Sequence, residues 1–138
     1  MAREFALSVV APDKSVVEET VTSVVAPGQE GYFGVYKDHI PLIAALRPGL
    51  VEYTDSIGTR HFVYIGGGFA EVSAERVTVL ADEAAQAKDI DITRAELDVD
   101  EAKRALKGDD SPLNSEEAVL AVERAVQRLR AARVVRSV

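Results

Sequence analysis

The chain has 138 residues, 47% of them hydrophobic, which suits one or two small domains with enough apolar material for a core. It contains no cysteine, which excludes disulfides and thiolate metal sites, and two histidines, His39 and His61, too few for a His-rich metal site. A formal net charge of −7 argues against non-specific nucleic-acid binding by the whole chain.

The opening MAREFALSVV lacks the long apolar stretch of a signal peptide, and no run reaches membrane-spanning length, so no direct membrane insertion is expected. Residues 4 to 80 read as short strands separated by turn signals. Phe5, Leu7 and Val9 alternate with Ala6, Ser8 and Val10, the period of two of a pleated strand. Pro12-Asp13-Lys14 is a turn before Ser15-Val16-Val17, and Val21 to Val25 is a β-branched run ended by Pro27-Gly28. From Pro27 to Leu50 the chain is punctuated by Gly28, Gly31 and Gly34, by Asp38-His39 before Pro41, and by Pro48-Gly49. This stretch reads as a surface loop that turns, runs briefly extended, turns again and re-enters a strand at Leu50. Leu50 to Thr54 then leads into Asp55-Ser56-Ile57-Gly58, a hairpin connection. His61 to Ile65, the break Gly66-Gly67-Gly68, Phe69 to Val72 and Arg76 to Leu80 complete the series. Many short strands without an intervening helix imply an antiparallel sandwich or barrel, and the sandwich is preferred.

The pattern changes after Ala81. Either Thr93 with Glu96 forms a capping box or Asp91 is the N-cap of a helix carrying Ala95, Val99, Ala102 and Leu106 on one face. Gly108, Asp109, Asp110, Ser111 and Pro112 stop it and form a turn. Asn114 or Ser115 caps a second helix with Val119, Val122, Val126 and Leu129 on one stripe. The fold class is therefore α+β: an N-terminal antiparallel β-sandwich over residues 1–87, then an antiparallel two-helix hairpin over 88–138. The narrow, alanine-rich stripes predict a hairpin that is marginally stable alone and able to dock elsewhere.

Few residues point to chemistry. Gly66-Gly67-Gly68 is followed by a strand rather than the helix that phosphate-binding glycine loops need, so a bulge or sheet corner is favoured. Asp38-His39 has no serine or cysteine nucleophile in an interpretable place, which ranks a small hydrolase last among the readings. Asp91 and Arg94 lie nearly on one face of a helix start; they read as a helix cap, or as an adenine or ribose acceptor with a phosphate-binding arginine. Arg124 and Arg128, four apart, suit a polyphosphate, an acidic protein surface or simply a solvated basic face. Residues 116 to 138 carry three acids and five arginines, a net +2 on an otherwise acidic chain, the asymmetry of a basic tail that meets an acidic partner.

Four stretches, FALSVVAPDKSVV, EGYFGVYKDHIPLIAALRPG, GGFAEVSAERVTVLADEA and IDITRA, together resemble the epsilon subunit of the F-type ATP synthase of bacterial or chloroplast type, over essentially the whole chain. The resemblance implies a non-catalytic rotor subunit of the central stalk, bound to the gamma subunit and the c-subunit ring, that couples proton flow to ATP synthesis. It implies no catalytic residue, no metal and no required cofactor. It places Glu30, Gly31, Tyr32 and His39 on the surface facing the c ring. The hairpin folds against the sandwich, or extends along gamma and inhibits ATP hydrolysis, its basic face of Arg124, Arg128, Arg130 and Arg133 meeting the catalytic alpha and beta subunits. ATP enters as a regulatory ligand, because some relatives bind it through a motif matched here by Ile90, Asp91, Arg94 and Ala95, with Arg124 and Arg128. Glu101 stands where ATP-binding relatives carry a further arginine, and the loop from Lys107 to Asn114 adds two acids, departures that weaken this implication. The implied location is peripheral, on the cytoplasmic face of a bacterial plasma membrane or on a thylakoid. The residues alone also fit a free-standing ligand-binding sandwich with its helices as a lid.

Overall fold

A computed structural model describes residues 3–108 and 114–136. Seven strands precede two helices: β1 (Phe5–Ala11), β2 (Lys14–Gly28), β3 (Gly31–Val35), β4 (Leu42–Asp55), β5 (Arg60–Val72), β6 (Arg76–Ala81) and β7 (Ala84–Gln86). A single 3-10 turn, Ala87–Asp89, leads to α1 (Ile92–Leu106) and α2 (Ser115–Arg136). The β-sandwich followed by a two-helix hairpin is the architecture the sequence predicts.

The strands are longer and fewer in the middle of the chain than the turn signals suggest. Pro27-Gly28 does not end the second strand early: β2 runs from Lys14 through both residues. The β2–β4 ladder shifts register between Val25 and Gly28, so the missing N–H of Pro27 falls where no regular bond is due. The same interruption accommodates Pro48, which lies inside β4 opposite Gly66 rather than at a turn. Gly66-Gly67-Gly68 likewise does not break the chain into two strands. β5 passes through it, with Gly67 at φ 98° and Gly68 at φ 139°, conformations open to glycine that bend the strand while its pairing with β4 keeps one register.

These bends let the sheet close on itself. β1 pairs antiparallel with β2 on one side and parallel with β6 on the other, so β1, β6, β5, β4 and β2 form a circuit from which β3 and β7 branch. The parallel pair departs from the all-antiparallel pattern expected. Inward-facing alternate residues, among them Leu7, Val9, Val51, Val63, Ile65 and Val79, fill one core between the two layers.

Asp91, and not Thr93, caps α1: its Oδ1 accepts from the Arg94 N–H at 2.9 Å. Asn114 caps α2, its Oδ1 accepting from the Glu117 N–H at 2.8 Å while its amide donates to the Glu117 carboxylate at 2.9 Å. The predicted turn residues Asp109, Asp110, Ser111 and Pro112 lie outside the described residues. Ala95 and Val99 are buried in α1 as predicted, whereas Leu106 is exposed. The expected stripe on α2 is corrected. Val119 and Val126 are exposed, and the buried residues are Ala118, Ala125, Ala131 and Ala132. Three of these recur every seven residues, a small-residue seam that carries the valines to its flank. No helix among the described residues is long and apolar enough to cross a membrane.

Candidate functional site

Helix α2 lies on the outer surface of β4 and β5, and α1 packs against α2. Leu50 and Tyr64, directly paired across these strands, point out of the sandwich and join Ala87 and Ala131 in a second small core flanked by Phe62, Ile90, Val134 and Val135. The apolar contact is modest. A set of arginines on α2 completes the attachment.

Arg128 reaches Glu83, between β6 and β7, with its Nη1 2.7 Å from Oε1. The same guanidinium donates to the Tyr64 hydroxyl at 3.3 Å and sits 5.4 Å from the centre of its ring. Tyr64 donates its hydroxyl proton to that same Glu83 oxygen. Burial, and then the bond to Glu83, push the Tyr64 hydroxyl far above the usual phenol value, so it remains a donor at any physiological pH. One turn earlier, Arg124 donates from Nε to the Gly66 carbonyl at 3.0 Å and places Nη2 3.7 Å from Asp82 Oδ2. Gly66 is what allows this crowding. A Cβ there would lie 2.4 Å from Glu83 Cγ and 3.0 Å from Arg124 Nε and the Tyr64 hydroxyl. Arg130 donates to the Tyr32 hydroxyl at 3.1 Å, and that oxygen also accepts from the Leu50 N–H at 3.2 Å. Arg136 donates to the Ile90 carbonyl at 3.0 Å, and Arg133 ties α2 to Glu96 of α1 at 3.8 Å.

The residues singled out in the sequence are distributed as follows. Arg124 and Arg128 are adjacent and face the acids of the sandwich. Arg94 lies along its own helix, 2.9 Å from Asp98 and 3.5 Å from Glu101. Among the described contacts it shares no partner with the α2 arginines. Asp91 is engaged as a cap, Ala95 is buried and Ile90 packs at the docking core. Glu30, Gly31 and Tyr32 form the β2–β3 turn and the start of β3, while His39 lies beyond the other end of that strand, so the four do not form one cluster. The Asp38–His39 pair is not a dyad. The Asp38 carboxylate meets Arg3 at 2.5 Å, and His39 Nδ1 contacts the Ile40 carbonyl at 2.7 Å.

Sequence reasoning missed Tyr64, Asp82 and Glu83. A signal for Tyr64 exists: Phe62, Val63, Tyr64 and Ile65 are apolar on both strand faces, which marks a strand covered on both sides. Nothing local distinguishes Asp82 and Glu83 from other surface acids.

A second feature lies where the hairpin leaves the sheet uncovered. Phe69 of β5 is cross-strand neighbour to Leu80 of β6 and Ala45 of β4, and Ile43 follows on the same side of β4. Ile43, Phe69 and Leu80 are 76%, 57% and 53% exposed, an apolar group too contiguous for an ordinary solvated sheet face.

Comparison with known proteins places these features in context. Residues 4–87 match the family model described as the ATP synthase delta/epsilon chain β-sandwich domain. The ATP synthase epsilon chain of Nitratidesulfovibrio vulgaris strain DP4 is 44% identical over 94% of this chain and 96% of its own length. That of Syntrophobacter fumaroxidans is 44% identical over 96% and 98%. Among solved structures, a chain of the Euglena gracilis mitochondrial ATP synthase assembly of OSCP, F1 and c-ring superposes with TM-score 0.79 at 25% identity, covering 94% of this chain and 81% of that one. A chain of the Tetrahymena thermophila mitochondrial ATP synthase central stalk and c-ring shares the fold, with TM-score 0.58 at 13% identity over 96% of each.

Proposed function

Because this chain belongs to the ATP synthase delta/epsilon family, whose epsilon chains are not catalysts, we propose that it is a central-stalk rotor subunit coupling proton flow to ATP synthesis. The observation that carries the reading is the exposed apolar group of Ile43, Phe69 and Leu80 on a sheet face clear of the hairpin. That group is the surface given to gamma, since burying it offsets the cost of leaving three large apolar side chains in water. The turn of Glu30, Gly31 and Tyr32, together with His39, is assigned to the c ring. The subunit is then peripheral, held at the cytoplasmic face of a bacterial membrane, or of a thylakoid, through those partners.

The hairpin is the regulatory part. Its attachment combines one small apolar cluster with part-exposed ion pairs, a combination weak enough to release. Once released, Arg124, Arg128, Arg130 and Arg133 become the basic face offered to acidic segments of the catalytic alpha and beta subunits, where the hairpin inhibits hydrolysis. ATP is assigned as the regulatory ligand. Ile90, Asp91, Arg94 and Ala95 supply the motif and Arg124 and Arg128 the phosphate contacts. Support comes from the adjacency and partial exposure of the two α2 arginines; Glu101 beside Arg94 opposes it.

Co-purification with gamma tests the reading. The wild-type chain is expected to elute with gamma, and Phe69→Glu is expected to elute alone while keeping the circular dichroism spectrum of the wild type. A Phe69→Glu chain that still binds gamma overturns the docking surface, and a wild-type chain that never binds gamma overturns the function.

A further inference from the structure

Arg124 and Arg128 stand one helical turn apart, and each is met by one member of a consecutive acidic pair, Asp82 and Glu83. A guanidinium fork binds carboxylate and phosphate oxygens with the same in-plane geometry. Glu83 Oε1 in particular collects two donors, the Arg128 Nη1–H and the Tyr64 O–H. That is the donor arrangement a phosphate oxygen takes. The Arg124 Nε–H is satisfied by the Gly66 carbonyl and its Nη2 faces Asp82. The cluster is reachable from solvent, since the side chains of Arg124, Arg128, Glu83 and Asp82 are 27%, 29%, 41% and 61% exposed.

We propose that Asp82 and Glu83 act as built-in competitors at this site, their carboxylates holding the places of phosphate oxygens so that a polyphosphate binds Arg124, Arg128 and Tyr64 only by displacing them. The proposal rests on the reading of Arg124 and Arg128 as phosphate ligands and adds what regulates them. The apparent affinity for a polyphosphate is lowered by the fraction of time the carboxylates occupy the arginines.

Calorimetric titration of the full chain with sodium tripolyphosphate, and separately with Mg-ATP, tests this. Glu83→Gln keeps the shape of the side chain and a hydrogen-bonding oxygen but removes the charge. Asp82→Asn is the second variant and leaves the 2.7 Å Arg128–Glu83 contact in place. Tripolyphosphate is expected to bind Glu83→Gln at least tenfold more tightly than the wild type, Asp82→Asn by a smaller factor, and neither variant once Arg124 and Arg128 are both changed to alanine. Equal binding by the wild type and both acid variants, still dependent on the arginines, overturns the competition while leaving the phosphate site standing. No saturable binding by any of them at millimolar polyphosphate, or binding indifferent to the arginines, overturns both. Agreement between tripolyphosphate and ATP assigns the recognition to the phosphates; binding of ATP alone overturns the proposed displacement, because the carboxylates then do not compete with phosphate.

Discussion

The sharpest test of the attachment between hairpin and sandwich is Gly66→Ala. The new methyl group would lie 2.4 Å from Glu83 Cγ, well inside contact distance, so Glu83 must swing away. Arg128 then loses its 2.7 Å partner and the Tyr64 hydroxyl loses its acceptor. Hydrogen bonds to charged groups contribute about 1.5–3 kcal/mol when well shielded. Partial exposure of both partners reduces this, so docking should weaken by about 1–2 kcal/mol, roughly 5–30-fold in the docked population. The sandwich itself behaves in the opposite sense. Gly66 has an ordinary backbone conformation, and Gly→Ala at such a site stiffens the unfolded chain. The chain has no cysteine, so spin labels at Glu71→Cys on β5 and Glu117→Cys on α2 report one defined distance. Gly66→Ala is expected to move population from that distance to longer ones while the sandwich melts no earlier than in the wild type. Arg128→Ala should do the same, and the double variant should add little, because both changes remove the Arg128–Glu83 pair. A Gly66→Ala distance distribution matching the wild type would refute the assignment of Glu83 as the anchor.

Two further outcomes concern the sandwich. Gly68→Ala puts a Cβ 2.0 Å from the Leu80 carbonyl oxygen at φ 139°, so it should cost about 3 kcal/mol or more of global stability; an unchanged melting temperature would contradict the bent path of β5. The Asp55 carboxyl is held below its ordinary value of 3.8, first by the hydrogen bond from His61 and then by the Thr59 and Ile57 N–H groups. A depressed carboxylate pKa contributes stability that is complete above the unfolded value and is lost as pH falls through the lower folded value. Asp55→Asn should therefore be less stable than the wild type near neutrality, with the gap between their urea midpoints closing below about pH 4. A gap that stays constant into acid would show that the carboxylate charge is not what matters.

The sequence disclosed the kinds of element better than their lengths. Period-two alternation located β1, the β-branched run located part of β2, and Asp55 through Gly58 located the β4–β5 turn. Pro48 and the triple glycine misled because local chemistry that usually ends a strand is here absorbed by an interrupted ladder and a bend, both set by tertiary closure. The parallel β1–β6 pair has no local signature, since it depends on which distant strands meet. On α2 the apolar valines drew attention away from the alanines, although only the smaller residues let the helices approach closely. Arg124 and Arg128 were visible as a basic pair. Their partners were not, because Asp82 and Glu83 acquire meaning only when α2 folds back over β5.

The closed circuit of strands also bears on how the molecule forms. β1 and β2 are joined by a tight turn and can zip as soon as both exist. The opposite edge of β1 waits for β6, with Ala6 meeting Arg76 and Val10 meeting Leu80. Nearly the whole sandwich must therefore leave the ribosome before its first strand is fully paired. Until then that strand presents an open edge to any neighbouring chain. Loop-closure entropy of this kind slows folding toward the millisecond-to-second range of non-local β topologies. The helices follow the strands in the chain and dock onto a surface that exists only after the circuit has shut, so the hairpin finds its seat later than the sandwich forms.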